Sequence, residues 1–109
     1  MVYIAEAHPV DEWQMDSNET AGICIRQHTT FEERLAAARL CAERLGLTIP
    51  TLVDSMDDRA SELFAAWPER IYIAGRDGRI AFKGGPGPDE FRPEAAEAAL
   101  RALLGLPVA

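Results

Sequence analysis

An α/β fold is what this sequence predicts, and three observations lead there. Short β-prone runs alternate with helical stretches, an order that implies parallel strands joined by right-handed crossovers. Proline and glycine mark the ends of those runs. Apolar residues make up 48% of the chain, enough to build a packed core. A length of 109 residues fits one domain, taken here as residues 1–109.

Residues 2–5 are β-prone and form the first strand. Residues 6–22 are polar, contain Pro9, Asp16, Ser17 and Asn18, and read as a long loop of the kind that carries function. Residues 23–25 read as a short strand or extended segment. Residues 30–45 give the clearest helix. Thr30 and Glu33 make a capping box, and Phe31, Leu35, Ala38, Ala42 and Leu45 fall on one face. Gly46 supplies a left-handed stop.

Pro50 leads into a short buried strand at 51–53. The acidic turn 54–58 caps a helix that runs to about Ala66 and is stopped by Pro68. Residues 70–74 and 79–83 form a hairpin around Gly75-Arg76-Asp77-Gly78. A stiff loop, Gly84-Gly85-Pro86-Gly87-Pro88, returns to a last helix beginning at Pro93. Ala96, Leu100, Leu103 and Leu104 line that helix's inner face. The order matches the C-terminal part of a thioredoxin-like α/β sandwich, a mixed sheet ending in a β-hairpin and a helix.

The net charge of −7, with no cluster of basic residues, disfavours nucleic acid as a partner. No stretch spans a bilayer and no leader is visible, so the expected compartment is the cytoplasm. The two cysteines, Cys24 and Cys41, form no C-x-x-C and no zinc set. Cys41 lies in the helical stripe and reads as core. Cys24 reads either as a buried strand residue or as one facing a cleft. As a nucleophile it is poorly placed, since apolar neighbours raise a thiol's pKa.

Several strings resemble the iodothyronine deiodinase family. They are Val2-Tyr3-Ile4-Ala5-Glu6-Ala7-His8 with Asp11 and Trp13, Glu33-Arg34 with Ala36-Ala37-Ala38, and Val53-Asp54-Ser55-Met56-Asp57. Pro68-Glu69-Arg70-Ile71-Tyr72-Ile73 and the loop at 84–88 complete the set. Their order and spacing hold from Val2 to about Leu104. The resemblance implies a thioredoxin-like fold, shared with bacterial relatives, and reductive removal of iodine by a selenocysteine or cysteine. It implies no cofactor, with a thiol reductant as co-substrate. The substrate is then a halogenated aromatic, or a peroxide or disulfide as in other thioredoxin relatives.

In the family the nucleophile lies upstream of the strand that holds Tyr3. By that comparison one strand and one helix, about 30 residues for a βα unit, would be absent here, and the chain would be inactive as it stands. A misassigned start is the favoured account, with a selenocysteine codon read as a stop. A short protein completed by a second copy and a degenerate remnant are the others. The alternative function is a non-catalytic binding or homodimerisation module, because a truncated sheet exposes strand edges.

Dehalogenation of this type needs a soft nucleophile to accept iodine and a donor to protonate the ring carbon. A histidine tuned by a carboxylate moves protons near neutral pH. Glu6 and His8, two apart on an extended segment, point to one face. Tyr3 shares that face with neither if the strand stays regular. By resemblance Tyr3, Glu6, His8 and His28 match positions near the family's nucleophile. His28 also reads as a surface histidine at a helix entrance. Arg70 reads as a substrate clamp or as a salt-bridge partner of Asp54, Asp57 or Glu69. Pro68 matches the cis-proline that lines a thioredoxin cleft, so a cis Trp67–Pro68 bond is expected. Asp11 and Trp13 either shape a substrate rim or anchor the loop, and anchoring suits the large indole. A metal site from Glu6, His8 and His28 matches no strong motif.

Overall fold

The computed structural model of the protein describes residues 1–9, 11 and 25–108. It contains two compact units, Met1–Phe64 and Ala65–Ala109. The first holds strand β1 (Val2–Tyr3), helix α1 (Phe31–Arg44), strand β2 (Leu52–Val53) and helix α2 (Arg59–Leu63). The second holds strands β3 (Tyr72–Ala74) and β4 (Ile80–Lys83) and helix α3 (Pro93–Leu103).

In the first unit β1 and β2 pair in parallel, with Val2 opposite Leu52 and Tyr3 opposite Val53. α1 and its connections make the crossover between them, as parallel pairing requires. Its start follows the expected chemistry. Thr30 Oγ1 accepts from Glu33 N at 3.2 Å, and Glu33 Oε2 accepts from Thr29 N at 2.7 Å. The box therefore closes on Thr29 rather than on Thr30 itself. The helix ends in a Schellman arrangement. Gly46 sits at φ 63°, Leu47 N donates to Ala42 O, and Gly46 N donates to Glu43 O.

The buried side of α1 is not the apolar stripe that hydropathy suggests. Arg34, Ala37, Ala38 and Cys41 are buried, whereas Phe31 and Leu45 are exposed. Cys41 is core, as expected. The stripe is displaced because Arg34 has polar partners inside the unit, and a hydropathy pattern has no means of placing a buried arginine.

α2 is short, and its start is capped at a distance. Asp58 holds a left-handed backbone at φ 57° and gives no side-chain cap. Asp54, at the end of β2, caps in its place. Its Oδ1 accepts from Ala60 N at 2.9 Å and its Oδ2 from Ser61 N at 3.0 Å, the second and third residues of the helix. The acidic turn thus caps as anticipated, and its first residue does so. The helix stops at Leu63, before the predicted Ala66.

In the second unit β3 and β4 form an antiparallel hairpin, with an irregularity between Ile73 and Ala74. Gly78 N donates to Gly75 O at 3.0 Å, and Gly78 takes φ 79°. That is the pattern of a type I turn followed by a left-handed glycine. The described residues thus form two separate two-stranded sheets, where the sequence suggested one mixed sheet. Of the expected segment at 23–25, Ile23 and Cys24 lie outside the described residues and Ile25 is irregular.

α3 packs on β3. Ala96 is its buried residue, while Leu100, Leu103 and Leu104 are about half exposed. The predicted inner leucine face therefore corrects to an alanine face. Small side chains let the helix lie close to the hairpin.

Removing the Asp54 carboxylate leaves the N–H groups of Ser55, Ala60 and the buried Ser61 without this partner. Asp54→Ala is expected to destabilise the first unit by about 1–3 kcal/mol. Asp54→Asn is expected to recover only part of this, because its amide nitrogen cannot accept from a backbone N–H. Urea denaturation of the three proteins checks both statements.

Candidate functional site

β1 ends at Tyr3, and the chain bends at Ala5, Ala7 and His8. The strand therefore does not stay regular, and the alternation argument that separated Tyr3 from Glu6 fails. The Tyr3 hydroxyl donates to Glu6 Oε1. It also meets His28 Nε2 at 3.1 Å, with the two rings tilted and their centroids 5.4 Å apart. Three residues expected at the site thus meet on one phenolic oxygen.

Two of the three are held from behind. Gln27 grips the Glu6 peptide in both directions, donating from Nε2 to Glu6 O at 3.0 Å and accepting from Glu6 N at 3.2 Å. Asp11 holds Gln27 in turn, its Oδ1 accepting from Gln27 N at 2.9 Å. Asp11 is therefore an anchor of this segment. His28 is 6% exposed, which corrects the reading of it as a surface residue.

Arg34, at 3% exposure, donates from Nε to His28 Nδ1 at 3.0 Å and from NH1 to Ser55 O at 2.7 Å. The same NH1 lies 3.0 Å from Asp58 Oδ1 in an ion pair. Sequence reasoning named Arg34 only within a family string and gave it no site role. The available signal was an arginine at the helical spacing of Ala37, Ala38 and Cys41.

The electrostatics follow from burial. Tyr3 is pushed above the ordinary phenol range by burial first, then by its hydrogen bond to Glu6 and the Glu6 charge. His28 is lowered, first by burial and then by the Arg34 charge. The Cys41 thiol is raised, first by burial and then by the Glu6 charge. At neutral pH the cluster therefore holds a protonated phenol, a neutral imidazole and a protonated thiol. Such a group can pass or hold a proton, and Cys41 is a poor nucleophile within it.

His8 lies in the bend, half-buried, and does not join Glu6 on a shared strand face. Pro68 and Arg70 belong to the second unit. The Trp67–Pro68 bond is cis, as expected. Arg70 donates from Nε to Gly84 O at 2.6 Å and from NH1 to Ala65 O at 3.2 Å, and it stacks 5.6 Å from the Tyr72 ring centre. These carbonyls, rather than the Glu69 carboxylate, take the guanidinium. Glu69 packs instead against Gly87, where any Cβ would collide with its carboxylate. Trp13 lies outside the described residues. Among the described residues no group of three or more His, Cys, Asp or Glu is placed to hold a metal ion. Among them no helix is long and apolar enough to cross a membrane.

The family model described as "Iodothyronine deiodinase" matches residues 1–104. A type I iodothyronine deiodinase of Xenopus laevis is 38% identical over 94 residues, covering 86% of this chain and 35% of its own. A thyroxine 5-deiodinase of Sparus aurata is 41% identical over 93 residues, 84% of this chain and 33% of its own. The human type II iodothyronine deiodinase is 36% identical over 93 residues, 84% of this chain and 34% of its own. The chain spans about a third of the length of these relatives.

The lowered His28 gives a signed pH dependence. Its neutral form is favoured by folding, so the contribution is complete above the unfolded value near 6.5 and is lost as pH falls below it. Thermal melts are expected to lose stability as pH falls below about 6.5, above the range where exposed carboxylates titrate. Tyr3→Phe, which removes the partner of both Glu6 and His28, is expected to cost about 1–3 kcal/mol at pH 7. Melting curves of that variant across the same pH range check both.

Proposed function

This chain belongs to the iodothyronine deiodinase family, and from that premise we propose that it forms the proton-handling side of a reductive dehalogenation site. One observation carries the reading: the Tyr3 hydroxyl lies between Glu6 Oε1 and His28 Nε2. In the reaction a thiolate or selenolate takes iodine from an aromatic ring. The C–I bond breaks, its electron pair stays on the ring carbon, and that carbon takes a proton. Glu6 and Tyr3 hold and deliver that proton, His28 orients the Tyr3 hydroxyl, and His8 is a further candidate donor.

The sulfenyl or selenenyl iodide left behind needs two thiol equivalents. One displaces iodide to give a mixed disulfide or its selenium counterpart. The second releases the nucleophile. A thiol reductant is therefore a co-substrate, and no bound cofactor is required. Cys41 is unsuited to the nucleophile's role because its buried thiol is raised. The nucleophile then lies outside the described residues. The fold that this reading expects is thioredoxin-like. Peroxides and disulfides are the other substrates that such a nucleophile serves.

The exposed Leu100, Leu103 and Leu104 on α3 favour a second reading, a non-catalytic binding or homodimerisation module. Sedimentation at increasing concentration separates it, since a strict monomer removes the dimer.

Iodide release from an iodinated phenol, with dithiothreitol as reductant, tests the first reading on the protein as it is made in the cell. Glu6→Gln is expected to lower kcat by about 10²-fold or more, the usual scale of a lost proton-transfer group. An unchanged rate removes Glu6 from the proton path.

A further inference from the structure

The cluster has a direction that its distances alone do not give. An arginine guanidinium has donors and no acceptor, and it stays protonated in proteins. Its Nε–H points at His28 Nδ1 at 3.0 Å. That nitrogen must therefore offer a lone pair. An imidazolium carries a proton on both nitrogens and is excluded by the contact, as is the tautomer protonated at Nδ1. What remains is the neutral ring with its proton on Nε2, the atom 3.1 Å from the Tyr3 oxygen. If Nε2 donates, the Tyr3 oxygen accepts, and the phenolic hydrogen is left to point at Glu6 Oε1.

We propose that Arg34 is a positioning residue that locks His28 as the neutral Nε2–H tautomer, so that His28 donates to Tyr3 and Tyr3 donates to Glu6. Arg34 is itself fixed. Its NH1 is held by Ser55 O at 2.7 Å and by Asp58 Oδ1 at 3.0 Å, so the fork cannot turn away from the ring. The groups facing His28 are Arg34 and Glu33 from α1, Tyr3 and Glu6 from the β1 segment, and Asp58 from the turn before α2. The acidic ones favour an imidazolium, and burial with Arg34 opposes it. His28 then acts as a fixed donor that orients Tyr3 rather than as a titrating acid or base. This deepens the dehalogenation reading and rests on it for the meaning of the relay, although the tautomer itself can be observed without substrate.

Two-dimensional long-range proton–nitrogen correlation on the chain labelled with ¹⁵N tests the assignment. The signals of His28 are identified by their loss in His28→Gln. An unprotonated Nδ1 and a protonated Nε2 are expected from about pH 8 down to about pH 6. A correlation across the hydrogen bond between Arg34 Nε and His28 Nδ1 is expected in the same sample. A proton on Nδ1, a mixture of tautomers, or an imidazolium already present near pH 6 overturns the proposal. Arg34→Met is expected to release the ring into a tautomer mixture and to raise its titration midpoint. A tautomer unchanged in that variant also overturns it. Should Arg34→Met fail to fold, the two measurements on the unsubstituted chain decide. None of these outcomes depends on iodide release, so the tautomer assignment and the dehalogenation reading fail separately.

Discussion

A guanidinium buried in the first unit organises most of what surrounds it. Arg34 brings a charge to a place that is 3% exposed, and such a charge persists only when its donors are matched. The partners come from three segments: the imidazole of His28 ahead of α1, the carbonyl of Ser55, and the carboxylate of Asp58. Satisfying one arginine therefore fixes how the approach to α1 meets the turn that follows β2. The left-handed backbone of Asp58 belongs to that requirement, since it lies in the turn that presents the carboxylate. His28 in turn reaches Tyr3, and Tyr3 reaches Glu6.

Local signals were legible where backbone chemistry decides the outcome. The Thr30–Glu33 box, the Gly46 stop, the hairpin glycines and Pro93 each satisfy or limit backbone groups, and the elements form where these residues place them. Side-chain burial was less legible. The leucines of α3 were assigned inward on periodicity, yet its packed side is alanine. The α1 face was misplaced by the same reasoning, because an arginine with three partners is core although its hydropathy says surface. Periodicity reports where apolar groups lie on a helix, and it does not say which side a neighbour covers.

The site divides in a similar way. Glu6, Tyr3 and His28 were chosen by type and by resemblance, and the structure brings them together. Their geometry was not readable, because strand alternation assumes an extended chain and β1 ends at Tyr3. The bend that follows lets residues three apart in sequence meet. Gln27 and Arg34, which hold two members in place, carried no recognised catalytic pattern. A glutamine facing a backbone peptide and an arginine facing an imidazole become recognisable only once the fold exists.

Asp54 has two attachments. Its backbone N–H donates to Tyr3 O at 2.8 Å, while its carboxylate holds the first turn of α2. The β1–β2 ladder and the start of that helix therefore cannot loosen independently. Amide protons of Asp54, Ala60 and Ser61 are expected to share one opening event, with a common exchange rate under conditions where opening limits exchange. The same event withdraws the backbone support of the tyrosine, so local breathing of a few residues sets how often the relay is out of alignment.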